Sequence, residues 1–147
     1  MASRLSRIEK IIELAQLEMD QAGKTMVYMR DKLHQDQSQL NSLLDYQKDY
    51  VKKPAQSGLL NPIQLQTHNA FSDKLIQALA TQKKQVEESE KMLQLAEDAW
   101  GEKRIRVKAL ESLLARLKKQ QETRLNKQEQ RLLDELSSQK FATKNHQ

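Results

Sequence analysis

The chain has 147 residues, of which 31% are charged, 37% hydrophobic and only 4% aromatic, with three glycines, two prolines and no cysteine. A compact domain of this size ordinarily carries more aromatic, glycine and proline residues, so long helices that each bury one stripe fit better than a shared globular core. The lack of cysteine excludes disulfides and thiolate metal sites, and no apolar run approaches the ~20 residues that span a bilayer or forms a signal-peptide block, so a cytoplasmic protein is expected.

The first predicted helix, about residues 4–53, carries an apolar repeat with 3-4 spacing at Leu5, Ile8, Ile12, Ala15, Met19, Ala22, Met26, Met29, Leu33, Asp36, Leu40, Leu43, Gln47 and Tyr50. Only Asp36 and Gln47 in that series are polar. A 3.5-residue period keeps one narrow stripe facing a partner helix, which is the pattern of a coiled coil. Ser3 and Ser6 are its candidate caps; Ser6 has Glu9 at capping-box distance. Gly23, in mid-helix, costs roughly 1 kcal/mol relative to alanine and reads as a tolerated weak point, as does Gly101 further on.

Pro54-Ala-Gln-Ser-Gly58 reads as the breaker, and a turn is expected over about residues 54–61. Asn61-Pro62-Ile63-Gln64 then reads as a helix start. Asn61 can cap, Pro62 suits the first helical position, and Gln64 sits where a capping box needs it. The second predicted helix covers about residues 62–140, with a frayed tail over 141–147. Its seam is Leu75, Leu79, Gln82, Val86, Ser89, Leu93, Ala96, Trp100, Lys103, Val107, Leu110, Leu114 and Leu117, continued by Leu125, Leu132 and Leu136.

Two long helices joined by a short connection are antiparallel neighbours. The fold class is therefore all-α, one coiled-coil domain of two helices. With the turn centred on Ser57 and Gly58, Leu5 faces Leu110, Ile8 faces Val107, Ala15 faces Trp100, Met19 faces Ala96, Ala22 faces Leu93 and Met29 faces Val86. Small residues then oppose large ones, as a filled core requires. A shift of one heptad is sterically allowed too. In the favoured register the second helix overhangs from about Ala115 to Lys140. Leu117, Leu125, Leu132 and Leu136 then have no counterpart on the first helix.

The formal charge is +5, and the excess sits late. Residues Gly101 to Gln147 hold twelve Lys and Arg against six Asp and Glu. Nucleic-acid binding and self-assembly into a larger structural coiled coil are the rival readings of such a basic helix. Glu111, Glu122, Glu129, Asp134 and Glu135 interrupt the basic residues, which weighs against nucleic acid. His34, His68 and His146 are scattered without metal-ligand spacing, and no phosphate-binding glycine loop or H-E-x-x-H appears. No catalytic residue, cofactor or metal is expected.

Two blocks carry a family resemblance. Leu43-Leu44-Asp45-Tyr46-Gln47-Lys48-Asp49-Tyr50 resembles the L-x-D-Y-Q-x-E/D-Y signature of the flagellar export protein FliJ family, and Ala99-Trp100-Gly101-Glu102-Lys103-Arg104 is similar to its W-x-E-K stretch. The resemblance implies an antiparallel coiled coil similar to the central stalk of rotary ATPases. It further implies insertion into the hexameric export ATPase FliI, contact with the cytoplasmic domain of the export gate FlhA, and association with export chaperones. It implies a cytoplasmic place at the membrane-associated export apparatus. The family presents a Phe-x3-Leu-x2-Ala-x3-His patch to the gate, which here reads Phe71, Leu75, Ala78 and Gln82, with glutamine in place of histidine. Phe71 lies off the seam and reads as a contact residue whose loss leaves stability nearly unchanged. The ATPase-docking residues are expected on the overhang, namely Leu117, Arg124, Leu125, Lys127, Arg131, Leu132 and Leu136, in a positive surround that includes Arg116, Lys118 and Lys119.

Overall fold

A computed structural model describes residues 2–57 and 61–145, with side chains described over 3–50 and 61–143. Gly58, expected at the centre of the turn, and the tail residues His146 and Gln147 lie outside the described residues. The architecture is all-α. Helix α1 covers Ala2–Ser57 and helix α2 covers Pro62–Asn145, and the two pack against each other as a hairpin coiled coil with no strand among the described residues. Both seams point inward. Every one of the fourteen α1 positions and the thirteen α2 positions from Leu75 to Leu117 is buried or half-buried, while most residues between them are exposed.

Helix α2 starts on a reciprocal cap. The Gln64 amide donates to Asn61 Oδ1 at 2.7 Å, and the Asn61 amide donates to Gln64 Oε1 at 3.3 Å. Two of the orphan N–H groups at the helix start are thereby satisfied, and the Leu65 amide closes the first turn onto the Asn61 carbonyl at 2.9 Å. Helix α1 begins at Ala2, ahead of both expected caps, so Ser3 and Ser6 lie inside it. It also continues past Pro54 to Ser57, further than a proline breaker suggests.

The helices contribute to two compact units. The first is Asp20–Glu102, whose core is Leu75, Leu79, Val86 and Ala96 from α2, with Asp36 and Ser89 buried among them. The second joins Met1–Met19 to Lys103–Gln147, with Ile12, Ala15 and Val107 as its core. Cross-helix pairs show the register within each. In the second unit, Lys103 pairs with Glu18 at 3.2 Å, Gln16 donates to Glu111 at 3.3 Å, and Lys118 lies 3.7 Å from Glu9. In the first, Gly23 meets the Trp100 indole and Arg30 lies 3.9 Å from Glu97.

These pairs correct the expected register by one heptad. Trp100 packs beside Gly23 and not beside Ala15, and Leu5 shares a groove with Leu117 instead of facing Leu110. The reason is partly local. Because α1 stays helical to Ser57, the chain reverses later than a turn starting at Pro54 would allow, and each added residue of α1 carries the pairing further along α2. A turn displaced by half a heptad moves the facing residues by a whole one.

Candidate partner-binding surfaces

The carboxylate and hydroxyl groups that interrupt the seams meet in one layer. Asp36 is 9% exposed and Ser89 2%, both well inside the apolar stripe. The Ser89 hydroxyl donates to Asp36 Oδ2, and Lys32, one turn earlier on α1, reaches the same oxygen at 3.4 Å and Ser89 Oγ at 3.5 Å. The Gln82 side-chain amide donates to the Asp36 backbone carbonyl at 2.9 Å. No buried side-chain nitrogen or oxygen among the described residues lacks a partner. The Ser89 hydrogen bond holds the Asp36 carboxyl below its ordinary value of 3.8. Burial opposes that shift, while Lys32, by hydrogen bond and charge, and Gln85 assist it. Spacing alone showed these residues as seam breaks; that they meet each other became visible only in the packed pair.

Beyond that layer, four rings gather from both helices. Tyr50 stacks on His68 with centroids 4.5 Å apart and lies 4.7 Å from Phe71, while Tyr46 meets Phe71 edge-on at 6.0 Å and stacks on Tyr50 at 6.3 Å. Tyr46 and Tyr50 are one helical turn apart, so both can touch α2 near its start. This cluster alters the reading of the Phe71, Leu75, Ala78 and Gln82 patch. Leu75 is buried at 7% and Gln82 is engaged with Asp36, so only Phe71, 38% exposed, and Ala78 offer surface. Phe71 is half core, because its ring bears on both tyrosines. The expectation that it stands apart from the packing is therefore corrected.

On the last third of α2 the pairing ends at Gln121, and every described residue from Glu122 to Thr143 is exposed. The expected overhang is thus shorter than Ala115 to Lys140. Leu117 is half-buried beside Leu5 in a groove that Arg4, Gln120, Gln121 and Arg124 complete, so it has the counterpart it was expected to lack. Leu125, Leu132 and Leu136 remain open, as do Lys127 and Arg131, and Leu132 is 58% exposed. Arg124 also lines a second groove with Arg116, Lys119, Gln120 and Thr123, where no carboxylate intervenes. The seam reading did not assign Leu133 and Phe141 on α2, or Ile11, Leu14 and Leu17 on α1, all of them large exposed apolar side chains. The off-seam spacing of three between Ile11, Leu14 and Leu17 was the available signal for the last group.

Charge divides between the units. Met1–Met19 with Lys103–Gln147 holds fifteen Lys and Arg against eight Asp and Glu, a net of +7, whereas Asp20–Glu102 holds ten against twelve, a net of −2. Among the described residues no group of His, Asp or Glu is placed to hold a metal ion, and no helix is long and apolar enough to cross a membrane.

The family model of the flagellar FliJ protein matches residues 4–146, nearly the whole chain. The chain belongs to the FliJ family. It is accordingly a coiled-coil component of the flagellar export apparatus, in a family whose members serve protein transport as structural parts. No curated protein matches it. The two blocks that carry the family signature have definite physical places in this FliJ-family chain. The tyrosine block supplies the α1 half of the aromatic cluster, and the tryptophan block supplies the indole that fills the space over Gly23.

Proposed function

We propose that this FliJ-family protein is a stalk-like, non-catalytic coiled coil of the export apparatus. It engages the hexameric export ATPase FliI through the far end of α2 and the cytoplasmic domain of the export gate FlhA through the surface around Phe71 and Ala78. In this reading it works in the cytoplasm, peripheral to the membrane, takes up export chaperones, and binds no nucleic acid or cofactor. The observation that carries the ATPase contact is the run from Glu122 to Thr143. It is helical, exposed throughout, and shows Leu125, Leu132 and Leu136 on one stripe with Arg124, Lys127 and Arg131 beside it. An isolated helix of that kind is marginal in water and gains most by laying its apolar stripe in a groove or collar. A net +7 on the same unit favours an acidic collar and speeds encounter with one.

The test is stimulation of ATP hydrolysis by purified export ATPase, with capture of the gate's cytoplasmic domain measured alongside. The full chain should stimulate the ATPase, and a chain ending at Gln121 should not, while still binding the gate. Full stimulation by the shortened chain would move the docking element elsewhere. No capture of either partner would remove the proposal.

A further inference from the structure

Two registers satisfy the apolar seams of this hairpin. Carried along the heptads from the observed cross-helix pairs, the seams bring Ala15 toward Val107, Met29 toward Leu93 and Leu43 toward Leu79. One heptad away, Ala15 takes Trp100, Ala22 takes Leu93 and Leu40 takes Leu75. Hydrophobic contact is non-directional, so these layers alone separate the two arrangements weakly. The polar positions distinguish them further. In the observed register Asp36, Lys32, Ser89 and Gln82 converge, and each buried polar atom finds its partner. One heptad away Asp36 faces Leu79, Ser89 faces Met26 and Gln82 faces Leu33. Gln82, seven residues before Ser89, would then stand where Ser89 stands now, so the carboxylate would exchange its hydroxyl partner for an amide, the Asp36 carbonyl would give up the Gln82 bond, and the Ser89 hydroxyl would be left against methionine.

The other register also has a ready turn. Pro54 lies within the last turns of α1 and has no N–H to donate there, and Gly58 follows it. Unwinding α1 from Pro54 onward therefore sacrifices few helix bonds and brings the reversal back by about half a heptad.

We infer that the Asp36–Ser89 layer is a register lock: it holds α1 and α2 in the observed pairing against one a heptad away, and without it the hairpin samples both. The slide it prevents carries one helix about 10 Å along the other, seven residues at a rise of ~1.5 Å. A buried polar residue at a seam position choosing register is a known use of such groups. Here the competing register is legible in the same seams, and this layer acts against it together with the seat of Trp100 over Gly23.

The chain has no cysteine, so introduced pairs report register without background. In the full-length protein, Leu93→Cys with Met29→Cys tests the observed pairing, and Leu93→Cys with Ala22→Cys tests the shifted one. With Asp36 and Ser89 intact, the first pair should oxidise readily and the second at least about ten-fold less. Asp36→Leu with Ser89→Ala should raise the yield of the Ala22 pair by about ten-fold while helicity is kept, since it removes the polar preference and adds apolar contact in either register. Asp36→Ala is the second variant, should the first lose helicity, and it should raise the same yield. An unchanged yield from the Ala22 pair in a folded variant would overturn the lock. Loss of the helical hairpin in both variants would overturn it equally, by making the layer a plain stability element.

Discussion

Gly23 lies directly beneath the indole of Trp100: a Cβ built on Gly23 would stand 3.4 Å from both Cδ1 and Nε1 of the ring. A glycine in the middle of a helix is costly, and here its hydrogen leaves the volume that the largest side chain of the facing helix occupies. Gly101 has no such neighbour, as nothing lies within 4 Å of a Cβ placed there.

The two glycines should consequently respond in opposite directions. Gly101→Ala should stabilise the hairpin by up to about 1 kcal/mol through helix propensity alone. Gly23→Leu should destabilise it by about 1–3 kcal/mol, because atoms beyond Cβ have to displace the ring. Urea midpoints measure both, and the single tryptophan reports the second through a red-shifted emission. A stabilising Gly23→Leu would show that the indole has somewhere else to go.

Asp36 makes stability depend on acid. Its folded pKa is lowered by the Ser89 hydrogen bond, with Lys32 assisting against burial. A depressed carboxyl pKa contributes stability that is fully present above the unfolded value, near 3.8, and lost as pH falls through the lower folded value. The denaturation midpoint of the wild-type chain should therefore drop below about pH 4, and Asp36→Asn should flatten that part of the profile. Parallel curves for the two proteins would place the acid sensitivity in other carboxylates.

Phe71→Ala should weaken the hairpin by about 1–3 kcal/mol. That is less than the loss of a fully buried phenylalanine, because the ring is part-exposed, yet clearly measurable, because it packs on Tyr46 and Tyr50. Gate binding must accordingly be compared per folded molecule, at a temperature where both proteins are helical. Ala78→Asp touches only exposed surface, and it should leave the melting temperature within about 2 °C while reducing gate binding. Unaltered binding by folded Ala78→Asp would remove that side of α2 from the contact.

Ending the chain at Gln121 should leave the cooperative melt of the hairpin nearly unchanged, since no described residue beyond it is buried. In the intact protein, amide exchange should be fastest from Glu122 onward, because an unpaired helix opens without breaking tertiary contacts. Protection there equal to that around Val107 would mean that this stretch is covered in solution.

Much of the hairpin was written in local pattern. The 3-4 spacing named the inward stripe of α1 and that of α2 from Leu75 to Leu117, because a helix turns its side chains through a constant angle and the inward face follows from spacing alone. The Asn61–Gln64 cap was legible for the same reason, as both partners lie within one helical turn. The family signature placed the aromatic residues of the site but not their contacts. Sequence by itself could not choose the register. A heptad pattern looks the same after a shift of seven, so both pairings satisfied it, and the choice fell to long-range partners: Ser89 for Asp36, Gly23 for Trp100, and the reach of α1 past Pro54. That choice then decided where the pairing ends. It moved Leu117 under cover beside Leu5 and left the open stripe to begin with Leu125. It also set Phe71 against the tyrosines, a contact between two helices whose spacing along the chain carries no periodic signal.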